Sequence, residues 1–191
     1  MFVAASPPGR GSPGYPQWIV RLAVHVLGLF AGALAVAALL YAAGELGAHP
    51  PLWTVGLLAA GLALVAARVV PVTLGGSRWR VPQEWARFGD VGYAGAFGVA
   101  LGTGVATRIG SPATFAVLAW GLAAPEWGLV WPGFAAFAAG RAVPFLAVAA
   151  RSHHHGTYSA DELGAFSGLA GRLWPIEAAL LAALAAWLLL A

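Results

Sequence analysis

The stretch GTGVATRIGSPATFAVLAWGLAAP, Gly102 to Pro125, decides how this chain is read. It occupies the second half of an apolar region, Val91 to Ala124, whose one charge is Arg108, followed at once by Gly110, Ser111 and Pro112. As one straight helix that region would be about 50 Å long at 1.5 Å per residue, against a bilayer core of about 30 Å. Proline has no N–H and clashes with the preceding turn. The stretch therefore predicts a helix broken at Gly110–Pro112, with two half-helices meeting at depth.

Composition supplies the solvent. Of 191 residues, 60% are hydrophobic and 9% charged, where a soluble domain carries about 25% charge; mean hydropathy is +0.79. So few charges cannot cover a water-facing surface at this length, and the reading is an all-α integral membrane protein in a lipid bilayer. All ten basic residues are arginine, scattered along the chain, so the clustered basic face of a nucleic-acid binder is missing. Cysteine is absent, which excludes disulfides, thiolate metal ligands and thiol redox chemistry within the chain.

Working outward, residues 1–16 (MFVAASPPGRGSPGYP) read as a disordered tail, and 17–191 as one polytopic domain. About five spans are expected, at 18–46, 52–72, 91–124 (broken), 127–150 and 173–191. Arg78, Arg80 and Arg87 fall in one loop and Arg151 and Arg172 bound another, while the connections at Glu45–His49 and Pro125–Glu126 have no arginine. By the positive-inside rule this sets the N-terminus in the cytoplasm and the C-terminus outside a bacterial inner membrane.

Several residues carry possible chemistry. Arg108, with Thr107, Gly110, Ser111 and Pro112, is the candidate central site. A mid-membrane charge costs roughly 2.5–3.5 kcal/mol, so it faces the bundle at a broken helix or snorkels toward an interface; Arg141 and Glu177 are its possible partners. Glu177 also stands in the first turn after Pro175, where the helix dipole favours an acid. Gly98 and Gly102 have the spacing that lets membrane helices approach closely, and Gly140 is read as a packing glycine too. His153–His155 read as a solvated loop; His25 and His49 are isolated. No Ser/His/Asp order, phosphate loop, dinucleotide fingerprint or metalloprotease helix occurs, so no catalytic residue, metal ligand or cofactor is expected.

From Gly92 to Phe145 the chain resembles the second half of the CcdA/DsbD transmembrane family, of the LysE-like superfamily. GYAGAFGVALGTGVATRIGSPATFAVLAWGLAA resembles the family's broken opening helix. AAFAAGRAVPFLAVAAR, with Gly140, Pro144 and Phe145, resembles the helix that follows. The resemblance implies an incomplete inverted-repeat bundle without the family's first helix. The family's reactive cysteine sits in Thr-Pro-Cys-x-Gly-Pro, and here Ile109 occupies its place and Arg108 that of the first proline. The resemblance thus implies a non-redox assembly or maturation factor for cytochrome c biogenesis-like machinery, or a membrane-complex subunit with a protein partner. The alternative is a small-solute or metal-ion transporter using the broken helix around Arg108.

Overall fold

The computed structural model describes residues 14–47, 49–71, 83–104, 111–155 and 174–190. Among these are six α-helices, one 3-10 turn and no strand: α1 (Tyr15–Gly47), α2 (Leu52–Ala66), the 3-10 turn Gln83–Phe88, α3 (Gly89–Gly102), α4 (Pro112–Ala123), α5 (Trp127–His155) and α6 (Trp174–Leu190).

Alanine and leucine, both good helix formers, fill these helices, and prolines mark where most of them begin. Pro16 lies in the first turn of α1, Pro51 caps α2, Pro112 opens α4 and Pro175 follows the first residue of α6. At these positions the missing N–H would have had no helical partner. Helix α1 meets no proline after its first turn and runs for 33 residues. Helix α5 holds two, Pro132 and Pro144.

Three boundaries differ from the sequence reading, and the expected break in 91–124 is present. Helix α1 starts at Tyr15, inside the expected tail. Helix α2 stops at Ala66, well short of Val72, because Arg68 takes a left-handed φ of 60°. Its N–H reaches the Val65 carbonyl at 3.0 Å and the Val69 N–H reaches Leu64 at 3.0 Å, the bond pair that closes a helix end. Helix α5 continues to His155, so His153–His155 end a helix rather than lie in a loop. The region 91–124 holds two helices, α3 and α4.

By length and composition two helices can cross a membrane, Tyr15–Gly47 and Trp127–Ala147. Helices α2, α4 and α6 are apolar but shorter, with 15, 12 and 17 residues.

Contacts fix the helix directions. Arg21 meets Asp90 and Gly28 meets Gly95 and Gly98, so α1 and α3 run in parallel. Phe145 lies against His25 and Trp127 against Tyr41, so α5 runs opposite to α1. Val55 packs with Ala123, while Leu62, Ala63 and Ala66 pack with Ala116, so α4 runs opposite to α2. Gly56 touches Leu188 and Leu189, while Leu62, Ala63 and Ala66 pack with Leu181, so α2 and α6 are antiparallel. Helix α4 is central, touching α1, α2, α5 and α6. The core beside it is Ala33, Ala37, Val130, Phe134 and Ala138.

The α1–α3 seam is built from glycine. A Cβ on Gly98 would run into the His25 carbonyl, and one on Gly102 into the Leu29 carbonyl. Gly98 and Gly102 therefore pack backbone on backbone, as their spacing predicts. For Gly140, no described residue lies within 4 Å of where its Cβ would be, so no described helix packs on it.

Candidate functional site

The interruption between α3 and α4 leaves two helix ends, and each end exposes backbone groups without helical partners. At the end of α3, Gly104 turns with φ +70° and its N–H reaches the Leu101 carbonyl at 3.2 Å. The Thr103 hydroxyl donates to Ala100 at 2.8 Å. Arg141, from α5, donates from Nη1 to the same Leu101 carbonyl at 3.0 Å. Its guanidinium stands 4.8 Å from the centre of the Phe137 ring, a cation–π contact.

At the start of α4, Ser111 is the capping residue, but its hydroxyl makes no bond to its own helix. It donates instead to Glu177 Oε1 on α6. The Ala113 N–H donates to the same oxygen at 2.9 Å. One carboxylate thus serves both the hydroxyl and a first-turn amide. Thr114, one residue on, is buried beside Gly104.

The charges are arranged by sign. A helix carries partial negative charge at its C-terminus and positive charge at its N-terminus. A guanidinium meets the C-terminal end of α3, and a carboxylate meets the N-terminal end of α4. Each is supplied by a helix other than the broken pair. Charge-assisted bonds of this kind are roughly twice as strong as neutral ones.

Of the residues singled out in the sequence, Ser111, Pro112, Arg141 and Glu177 converge on this interruption. Thr107, Arg108 and Gly110 lie outside the described residues. Arg141 and Glu177, taken from the sequence as partners of Arg108, have partners in the helix ends themselves. That role was not legible in the sequence, although each residue is a charge inside an apolar helix, the one signal that marks it.

Two further polar groups lie at opposite ends of α1. Toward its start, Arg21 pairs with Asp90 at 2.6 Å. One turn on, the fully buried His25 bonds from Nδ1 to the Ala94 carbonyl at 3.1 Å between Phe97 and Phe145. Since a carbonyl only accepts, Nδ1 carries the proton. Toward its far end, His49 reaches Glu45 and the Leu122 carbonyl. Asp90 and Leu122 were not singled out in the sequence. Among the described residues no group of three or more His, Cys, Asp or Glu could hold a metal ion.

Comparison of the chain with models of protein families, with curated proteins and with solved structures finds no match.

Proposed function

We propose that the chain is a multi-pass membrane protein whose interrupted crossing, α3 followed by α4, forms the polar centre through which a small solute or ion passes. One observation carries the reading: two opposite charges from α5 and α6 are spent on the two helix ends of an interruption inside an otherwise apolar bundle. Ionisable residues at membrane depth are costly and mark pathways far more often than they mark packing. Discontinuous helices bind substrates through the same freed backbone groups. The N-terminal end of α4 favours a negative partner, so an anionic solute such as a small carboxylate is the first candidate, taking the Ser111 and Ala113 donors in place of Glu177.

The surface supports the membrane part of this reading. Leu39 is 71% exposed, and Leu27 and Leu180 67% each, and apolar surface on that scale needs an apolar surrounding. Helix directions support five crossings, the α3–α4 pair counting as one. At about 1.5 Å per residue α3 and α4 together reach about 39 Å, enough to cross.

The test is transient current from purified protein in proteoliposomes on a solid-supported membrane. Jumps of acetate, glutamate, phosphate and nickel chloride are compared with equal jumps of sodium chloride. A current above the chloride control that falls at least tenfold in Glu177→Gln supports the reading. Folded, inserted protein that gives no current with any of the four sinks it. That outcome leaves the non-redox assembly factor, which moves no solute and is recognised by its partner.

A further inference from the structure

We propose that His49, Glu45 and the last turn of α4 form a proton-operated latch at the end of the bundle opposite the N-terminus. The latch ties the α1–α2 connection to the free end of the half-helix α4. It does not depend on what, if anything, the broken crossing carries.

The geometry is a counting argument. His49 Nδ1 lies 3.0 Å from the Leu122 carbonyl oxygen, and Nε2 lies 3.3 Å from Glu45 Oε1. A neutral imidazole carries one N–H, and both partners are acceptors. Only an imidazolium can donate to both at once; equivalently, the His49–Glu45 pair holds one extra proton when the contact is closed. Leu122 supplies one of the last carbonyls of α4, left without a helical donor, where the helix dipole also favours a cation.

The surroundings are shaped for the ring. Gly44 lies under it, and a Cβ there would meet His49 Nδ1 at 2.5 Å and Cε1 at 2.8 Å, and would strike the Leu122 carbonyl. Tyr41 packs against the imidazole at 5.9 Å between ring centres. Trp127 closes over Tyr41 at 5.8 Å. Among the described residues, the titratable groups facing this spot are Tyr41 and Glu45 from α1 and Glu126 from the α4–α5 connection, which acts on Tyr41 through space. Helices α2 and α4 have no titratable side chain.

Loss of the proton leaves His49 able to bond Leu122 or Glu45, with a lone pair turned to the other. The closed form is thus complete where Glu45 is ionised and His49 charged. It loses one of its two ring hydrogen bonds when the pair gives up that proton.

The chain has no cysteine, so one introduced thiol gives a single spin label. The site is Leu46, which is 90% exposed and next to Glu45. In full-length Leu46→Cys protein in detergent, the label's spectrum should shift from restricted toward mobile between about pH 5.5 and about pH 8. Adding His49→Gln should remove the pH dependence and leave the label mobile throughout. Adding Glu45→Gln should also remove it but leave the label restricted throughout, because an amide can donate to the neutral ring's Nε2. Circular dichroism checks that each variant is folded. A pH-independent spectrum in the His49 protein, or the same pH response in folded His49→Gln or Glu45→Gln, overturns the proposal.

Discussion

Arg141 illustrates what one side chain does at an interruption. It gives an N–H to the Leu101 carbonyl at 3.0 Å and lays its guanidinium over Phe137. The Leu101 carbonyl is half-buried and also accepts the Gly104 N–H at 3.2 Å, so truncating Arg141 removes one hydrogen bond to a charged group, worth about 1.5–3 kcal/mol, and its contact with Phe137. Arg87 stacks on Phe88 at 5.3 Å from an exposed position, where little is lost on truncation. Arg141→Met should therefore lower the thermal midpoint in detergent by several degrees more than Arg87→Met, with Arg141→Lys in between because it keeps charge and donors but not the flat fork. Equal midpoints for Arg141→Met and Arg87→Met would show that the Leu101 carbonyl needs no such partner. From the sequence, Arg108 is the charge nearest the break, with Arg141 only its possible partner. For Leu101 the charged donor comes from a residue forty positions away. Spacing along a chain identifies a freed carbonyl but not the helix that will lie beside it.

At the scale of helices, the sharpest contrast lies between two glycines that look alike in sequence. Gly98 faces α1, with the His25 carbonyl where its Cβ would be, whereas no described residue lies within 4 Å of a Cβ on Gly140. Overpacking such a seam costs typically 1–3 kcal/mol, and freeing a helix of an exposed glycine gains up to about 1 kcal/mol. Gly98→Ala should therefore destabilise the protein and Gly140→Ala should leave it unchanged or more stable, as read by thermal unfolding in detergent. A Gly98→Ala protein as stable as the parent would mean that α1 and α3 can separate at no cost. Proline and glycine made most element starts legible, including the interruption at Pro112. They gave no sign that α2 ends at Ala66, since that end rests on Arg68 in a left-handed conformation that arginine seldom adopts. The Arg68 guanidinium lies 5.3 Å from the Trp174 ring, a contact across about a hundred residues that no local signal announces. Nor did local pattern separate Gly98 from Gly140, because helix period fixes spacing and only the neighbouring helix decides which face is covered.

For the whole molecule, helix direction and charge distribution agree without sharing a premise. Directions come from contacts between helices. They place Arg21, Asp90 and Arg68 toward one end, and Glu45, His49, Glu126 and Trp127 toward the other. The arginine count along the sequence separates the same ends, since the connections at Glu45–His49 and Pro125–Glu126 lack arginine. Exposed Trp53, Trp127 and Trp131 begin α2 and α5 at the arginine-poor end, where amphipathic rings suit a membrane–water boundary. In the multi-pass arrangement proposed above, the positive-inside rule puts the arginine-bearing end in the cytoplasm and the direction of α6 puts the C-terminus on the other side. Alkaline phosphatase, active only outside the cytoplasm, should be inactive when fused after Arg151 and active when fused after Pro50 or at Ala191. The fusion after Pro50 tests α1 alone; the one at Ala191 tests the alternation through α3–α4, α5 and α6. Activity after Arg151 would invert the orientation. Inactivity at Ala191 with activity after Pro50 would mean that the α3–α4 pair dips into the membrane and returns, which would remove the through-membrane pathway while leaving the Arg141 and Glu177 contacts in place.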